Sequence, residues 1–496
     1  MNLTADAPPA GTVRDWLDAR ADAQGEAIYF PETGARLTWE DLREQARSIA
    51  TNLTARGYRK GESVAIMHPN GMEGVIAMYG AYYGGFRATM INLAAGPEAI
   101  GFALDHSGAR IAFVHSDQRE LFARVCPDRM EVYTADDRGG GDLHDIAAQD
   151  DALLMYTSGT TGRPKGVVHT HASLLAGGWT ASIAHNLGPT DCGFCVLPMY
   201  HINGQCVTIM GSLVSGGSLA MVSRFSVSRF WDQAQSGGIT WFSVVPTIIS
   251  HLLHGEAEPS EDLKANIRFG RSASSALAVE TQTAFQNRFG IAIVETMGLT
   301  ETAAQCLSNP LDRTRQKIGS PGVAVGNEAR IADADGRVSP TDTEGEIQIR
   351  GPNVMKAYLK NPEETARTFI GAWLRTGDLG RMDADGYIFV TGRLKELIIK
   401  GGENIAPREI DEALYEHADV VEAAAFARPC SQYGERVEAA VRLRPGSTAT
   451  AAALKELCTT RVGKFKAPDT VHILDELPKG PSGKIQRLYL NKLIHG

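Results

Sequence analysis

The stretch Tyr156-Thr157-Ser158-Gly159-Thr160-Thr161-Gly162-Arg163-Pro164-Lys165-Gly166 concentrates four aliphatic hydroxyls, glycines and a lysine directly after the apolar run 152–155. A strand feeding such a loop can wrap backbone N–H groups and hydroxyls around phosphate oxygens, while Lys165 supplies positive charge. The spacing differs from the nucleotide-kinase pattern GxxxxGK[ST], and a polar turn needs only Gly or Asn rather than this many hydroxyls. Glu301, Asp378 and Lys484 are single residues of chemical interest further on. Taken alone, they read as a solvated helix-start carboxylate, a turn former and a surface lysine.

Positioning such a loop requires regular elements on either side. Thr38-Trp39-Glu40-Asp41 forms a capping box ahead of Leu42, Ala46, Ile49, Ala50 and Leu53 at helical spacing, which predicts a helix. Apolar runs at 63–67, 89–92 and 111–114 alternate with helical stretches, one starting near Pro97. This alternation predicts an α/β fold with largely parallel sheets. From about Gly345 the strands shorten, at 345–350, 387–391, 396–400, 420–427 and 437–443, and a smaller α+β unit is expected at the C-terminal end.

At 496 residues the chain exceeds what one hydrophobic core sustains, and ~150 residues per domain suggests about three folding units. No run of ~18 apolar residues could cross a bilayer, so no membrane span is expected, and residues 1–10 lack the basic start and apolar stretch of a secretory signal. Seven cysteines, an odd number scattered along the chain, read as reduced thiols, which points to a cytoplasmic location. A net charge of −9 opposes nucleic-acid binding and favours small-molecule chemistry.

The loop 156–166 resembles, residue for residue, the signature loop of the adenylate-forming superfamily, the acyl-CoA synthetases and their AMP-binding relatives. Further resemblances follow in the family's order. Pro198-Met199-Tyr200-His201-Ile202-Asn203-Gly204 is similar to the segment beside the acyl pocket. Gly298-Leu299-Thr300-Glu301 is similar to the segment whose glutamate holds Mg²⁺ against ATP, and Trp373-Leu374-Arg375-Thr376-Gly377-Asp378 to the one whose aspartate binds the ribose hydroxyls. Gly392-Arg393-Leu394-Lys395-Glu396 resembles the hinge, Gly401-Gly402-Glu403-Asn404-Ile405 the loop after it, and Pro478-Lys479-Gly480-Pro481-Ser482-Gly483-Lys484-Ile485 the segment carrying the active-site lysine. Met297 departs from the family's usual tyrosine before Gly298; a thioether can still cover adenine.

The resemblance implies an α/β adenylation domain over 1–391 that binds ATP and the acid, and a mobile α+β domain over 392–496 that carries the hinge and the lysine. ATP would be held by Thr157, Ser158, Gly159, Thr160, Thr161, Gly162, Lys165, Ser275, Met297, Gly298, Thr300, Asp378 and Arg393, and Mg²⁺ by Glu301 with Thr160. The carboxylate of the acid attacks the α-phosphorus, and Lys484 bridges the reacting anions. Coenzyme A then accepts the acyl group after rotation about Lys395, with Gly401 and Gly402 close to its pantetheine arm. A homodimer, and an enzyme that acylates Lys484, are further expected partners.

His201, Asn203, Ser274 and Gln305 are the expected acid-pocket residues, and His201 reads equally as a packed buried histidine and as a gate against the acyl or thiol tunnel. The stretch 271–277 with Ser308-Asn309-Pro310 looks most like the oxalyl-CoA synthetase branch, although Ala304 stands where that branch has a histidine. A small acid with a second polar end is therefore the expected substrate, with medium-chain or aryl acids as the alternative. Arg271 reads equally as an inward charge and as a strand-end arginine in an ordinary salt bridge. Rival readings are an adenylation module loading a carrier protein, a luciferase-like oxygenase and a catalytically silent nucleotide-binding protein. The aspartate that would pair with an amino acid's amine is replaced by His201, and Glu301, Asp378 and Lys484 are all retained.

Overall fold

The computed structural model describes residues 1, 3–134, 140–157, 164–480 and 484–496. The expected phosphate-loop residues Ser158, Gly159, Thr160, Thr161 and Gly162 lie outside the described residues.

The predicted alternation of helix and strand builds two large sheets with mainly parallel cores. In the first, Asp151–Thr157, Arg87–Met90, Ser63–Met67, Ile111–Val114 and Glu131–Tyr133 run parallel in that spatial order. Ser63–Met67 is buried at every residue, as a strand covered by helices on both faces must be. Lys165–Thr170 pairs antiparallel with Asp151–Thr157 and sets Thr157 opposite Lys165. Helix Trp39–Ala55 starts as its capping box predicts, with the Asp41 N–H donating to Thr38 Oγ1 at 3.0 Å and the Thr38 N–H donating to the Asp41 carboxylate at 3.1 Å. Its apolar stripe, Leu42, Ala46, Ile49, Ala50 and Leu53, is fully buried. Helix Pro97–His106 begins on its proline.

In the second sheet, Glu26–Phe30, Ser218–Met221, Cys192–Cys195, Trp241–Val244, Phe269–Ser272 and Ile293–Leu299 lie parallel side by side, and Ala304–Ser308 adds antiparallel. Parallel strands end on a common edge, and in open α/β sheets ligands bind outside the carboxyl ends. That edge carries Thr247, Ser274, Ser275 and Glu301 on the segments that leave the strands.

The short strands expected at 345–350, 387–391, 396–400, 420–427 and 437–443 divide between two sheets. Gly345–Arg350 and Ile388–Arg393 both pair with Trp373–Met382 in an antiparallel sheet of the large part, because their hydrogen-bonding edges are completed there. The C-terminal sheet is built on the hairpin of Val420–Cys430 with Gly434–Leu443, flanked by Ile398–Lys400 and Thr470–Ile473. Its core, including Ile398, Ile410, Leu414, Val441 and Leu454, forms a hydrophobic cluster of its own. Among the described residues, no helix is long and apolar enough to cross a membrane.

Candidate active site

A cavity of about 260 Å³ lies between the carboxyl edge of the second sheet and the C-terminal segment, with Ser275, Met297, Gly298, Asp378, Arg393 and Lys484 among its walls. Strand pairing explains part of this convergence. Arg393 is in register with Asp378, and its Nε donates to Asp378 Oδ1 at 2.5 Å. The Asp378 charge raises the pKa of the Arg393 guanidinium, so the cation is held firmly beside a carboxylate that is itself buried. Lys484 lines the same cavity, and its carbonyl accepts from the Gly480 N–H at 2.7 Å. Burial and the adjacent Arg393 push its ammonium down to about 8, against the opposing attraction of Asp378, Glu396 and Glu301.

Glu301 occupies the single turn Thr300–Thr302 that follows Ile293–Leu299. Buried His169 pins this turn: its Nε2 donates to the Thr300 carbonyl at 2.7 Å, and Ser173 Oγ donates to Nδ1 at 3.0 Å. Burial lowers the His169 pKa to about 4, so the imidazole is neutral, and the carbonyl acceptor fixes which nitrogen carries the proton. The Tyr358 hydroxyl donates to Glu301 Oε1 at 2.8 Å and orients the carboxylate. A carboxylate held by a hydroxyl at a strand end has the hard oxygen donors that suit Mg²⁺. Gly298 is required by geometry, since a Cβ there would lie 1.7 Å from the Ala304 carbonyl oxygen.

Lys165 Nζ is bonded to the Glu364 carboxylate and lies 5.0 Å from the Tyr358 ring centroid. That hydrogen bond lowers the Glu364 pKa, with a smaller contribution from Lys395. Gly401 and Gly402, with φ of 61° and 88°, are the centre of the hairpin joining Ile398–Lys400 to Glu403–Ile405. Two consecutive positive φ values define a type I′ turn, which favours glycine whatever else passes nearby.

On the acid side, Ser274 and Ser275 line the cavity, and Ser274 holds the left-handed φ of 76°. Asn203 opens the π-helical segment Asn203–Met210, and its Nδ2 donates to Ser274 Oγ at 3.4 Å. His201 packs beside Tyr200, ring centroids 5.0 Å apart. Gln305 is fully buried one layer further back: its Oε1 accepts from Arg271 Nε at 3.0 Å and His185 Nε2 at 3.1 Å. Arg271 is only 1% exposed and also donates through Nη1 to Asn203 Oδ1 and Ser243 Oγ, each at 3.0 Å. Among the described residues it makes no salt bridge, which removes the ordinary-salt-bridge reading. Tyr358, Glu364 and His169 were not singled out from the sequence; their partners lie 57, 199 and 131 residues away, a separation that no local motif encodes.

Residues 17–359 match the AMP-binding enzyme family and residues 409–484 the AMP-binding enzyme C-terminal domain. The chain belongs to the AMP-binding enzyme family. Within that family it is an AMP-forming acid–thiol ligase that uses ATP, Mg²⁺ and coenzyme A. It is 44% identical to the sulfoacetate–CoA ligase of Cupriavidus necator over 99% of both chains, and 34% identical to the oxalate–CoA ligase of Arabidopsis thaliana over 92% of both. Among solved structures, ATP-bound MatB from Rhodopseudomonas palustris superposes with a TM-score of 0.89 at 28% identity, covering 97% of this chain and 99% of that one.

Proposed function

We propose that the protein activates a short carboxylic acid carrying a second polar or anionic end, of the kind named for its sulfoacetate- and oxalate-ligating relatives, and transfers the acyl group to coenzyme A. The observation that carries this reading is the placement of Lys484 in one cavity with the Asp378–Arg393 pair, facing Ser274 and Ser275. The acid is already ionised near neutral pH, so no general base is needed for the first step. Its carboxylate oxygen bonds to the α-phosphorus as the bond to the departing pyrophosphate breaks, and Lys484 offsets the negative charge gathered there. Asp378 accepts the ribose hydroxyls, while Arg393 stays beside it as a fixed cation. Mg²⁺ would be held by Glu301, with Thr160, which lies outside the described residues, as its second expected partner, and would neutralise the phosphate oxygens. In the second step the thiol of coenzyme A gives up its proton to solvent, its sulfur bonds to the acyl carbon, and AMP leaves with the electron pair of the broken acyl–oxygen bond.

A hinge at Lys395, with 392–496 moving as a unit between the steps, fits the separate hydrophobic cluster of the C-terminal sheet. A cytoplasmic location, a homodimer and reversible acylation of the Lys484 amine belong to the same proposal. Pyrophosphate release over a panel of short acids, with and without coenzyme A, tests it: small polar acids should exceed octanoate and benzoate by at least ~10-fold in kcat/KM, about 1.4 kcal/mol of transition-state preference. A panel led by octanoate or benzoate would overturn the choice of acid.

A further inference from the structure

Resting on the ligase reading above, we infer that Arg271 is the specificity-determining residue that binds an oxyanion at the far end of the acid, so that the substrates are short acids bearing a distal sulfonate or carboxylate. The Arg271 side chain is among the largest fully buried in the molecule, yet its partners are an asparagine oxygen, a serine hydroxyl and a glutamine oxygen, with no carboxylate among the described residues. A buried cation without a counter-charge costs several kcal/mol, and a hydrophobic residue of similar size would pack the same space without that cost. The cost is visible in the guanidinium itself, whose pKa burial lowers to about 9. An arriving anion removes it.

The surroundings hold the guanidinium for such a ligand. Gln305 Oε1 accepts from both Arg271 Nε and His185 Nε2, while its own Nε2 donates to the Thr180 carbonyl at 3.3 Å, so the amide is locked and fixes the plane of the fork. His185 stays neutral, its pKa lowered to about 3 by burial and by Arg271, and adds no competing charge. Nη1 is occupied by Asn203 and Ser243, and Nη2 has no hydrogen bond among the described residues, leaving donors for a ligand. Asn203 links Arg271 to the cavity wall: its oxygen takes the 3.0 Å bond from Nη1, and among the described residues its amide nitrogen makes only the long 3.4 Å contact to Ser274, which lines the cavity. That weak contact is the one a distal anion would replace, receiving the Asn203 N–H and the Ser274 hydroxyl together with the Arg271 charge. The carboxylate to be activated would then lie toward Lys484, on the same cavity. Ligands without charge at the far end would leave the guanidinium as costly as before.

The test compares two acids of nearly equal shape on the wild-type enzyme, sulfoacetate and its neutral analogue methylsulfonylacetate, with malonate, acetate and propionate alongside, by ATP-dependent pyrophosphate release. Charged hydrogen bonds of about 1.5–3 kcal/mol predict ~10- to 150-fold higher kcat/KM for sulfoacetate than for the sulfone. Malonate separates the sources of the anion, a carboxylate from a sulfonate. In Arg271→Met the preference should fall toward unity while turnover of propionate persists, and Arg271→Lys should keep part of it. A wild-type ratio within about threefold overturns the inference without any variant, as does an Arg271→Met enzyme that keeps the full preference. Turnover confined to uncharged acids also overturns it and leaves the ligase reading standing. Absence of pyrophosphate release with every acid would remove the ligase reading itself, and the inference with it.

Discussion

Raising the pH through the titration of Lys484 should switch off adenylation while leaving thioester formation intact. The ammonium is lowered from 10.5 to about 8 by burial and by Arg393, a change that corresponds to about 3 kcal/mol of lost preference for the charged form at 1.36 kcal/mol per unit. Only the protonated form can offset phosphate charge, so activity that depends on it is full below pH ~7 and declines about tenfold per unit above 8. The parameter to measure is kcat/KM of ATP–pyrophosphate exchange with subsaturating ATP, because it reports groups in the free enzyme; bound ATP would raise the same pKa and hide the limb. Preformed acyl-adenylate with coenzyme A should show the opposite slope, since a thiol of pKa ≈ 8.5 becomes more nucleophilic over this range. Lys484→Arg keeps a cation above pH 12 and should lose the descending limb even if its rate is lower. Exchange that stays level to pH 9.5, or a limb unchanged in Lys484→Arg, would refute the assignment of Lys484 as the charge needed in the first step.

Three further outcomes can be checked. Tyr358→Phe removes a charged hydrogen bond from Glu301 with little change of volume, and should raise the Mg²⁺ concentration for half-maximal exchange ~10-fold; an unchanged Mg²⁺ titration would contradict the orienting role. Lys395→Pro fixes φ near −65° at the proposed hinge, so exchange and thioester formation should be affected to different extents, and equal loss of both would count against a hinge there. Buried His169 and His185 titrate near 4 and 3 in the fold against ~6.5 unfolded, so the unfolded chain binds more protons below 6.5 and stability declines as pH falls from there toward 4. The cost reaches about 3 kcal/mol per histidine, and a urea midpoint unchanged between pH 7 and 4.5 would be the contrary result.

Some of this site is legible in the chain because the chemistry restricts residue type at close spacing. Gly298 and Glu301 lie three residues apart: one position excludes any Cβ and the other must present a carboxylate at a strand end, so local sequence carries both constraints. The capping box at Thr38 and the proline start at Pro97 are local in the same sense and reappear in the fold. Arg271 could not be resolved that way. Whether a strand-end arginine faces a sheet neighbour or the interior depends on register with Trp241–Val244 and Ile293–Leu299, which is a property of three segments together. Gly401 and Gly402 illustrate the converse, since their type I′ turn supplies a structural reason for glycine that the sequence could not distinguish from close approach of a ligand. The short-strand texture after Gly345 likewise reported strand length and not which sheet each strand would join.

Charge in the central cavity also links nucleotide binding to the position of the C-terminal segment. Lys484 lies in a site where Arg393 is fixed by Asp378, and burial first, with the neighbouring Arg393 cation second, depresses its pKa. A triphosphate in the cavity would reverse the sign of that interaction, because each cation then faces more negative than positive charge. By linkage, whatever favours ATP in the cavity favours Lys484 there by the same free energy. Once pyrophosphate departs, much of the compensating charge leaves with it, and the repulsion between Lys484 and Arg393 returns in part. On the proposed hinge at Lys395, the arrangement suited to adenylation would thus be weakened by its own product, which would give the C-terminal unit a thermodynamic reason to withdraw before the thiol arrives.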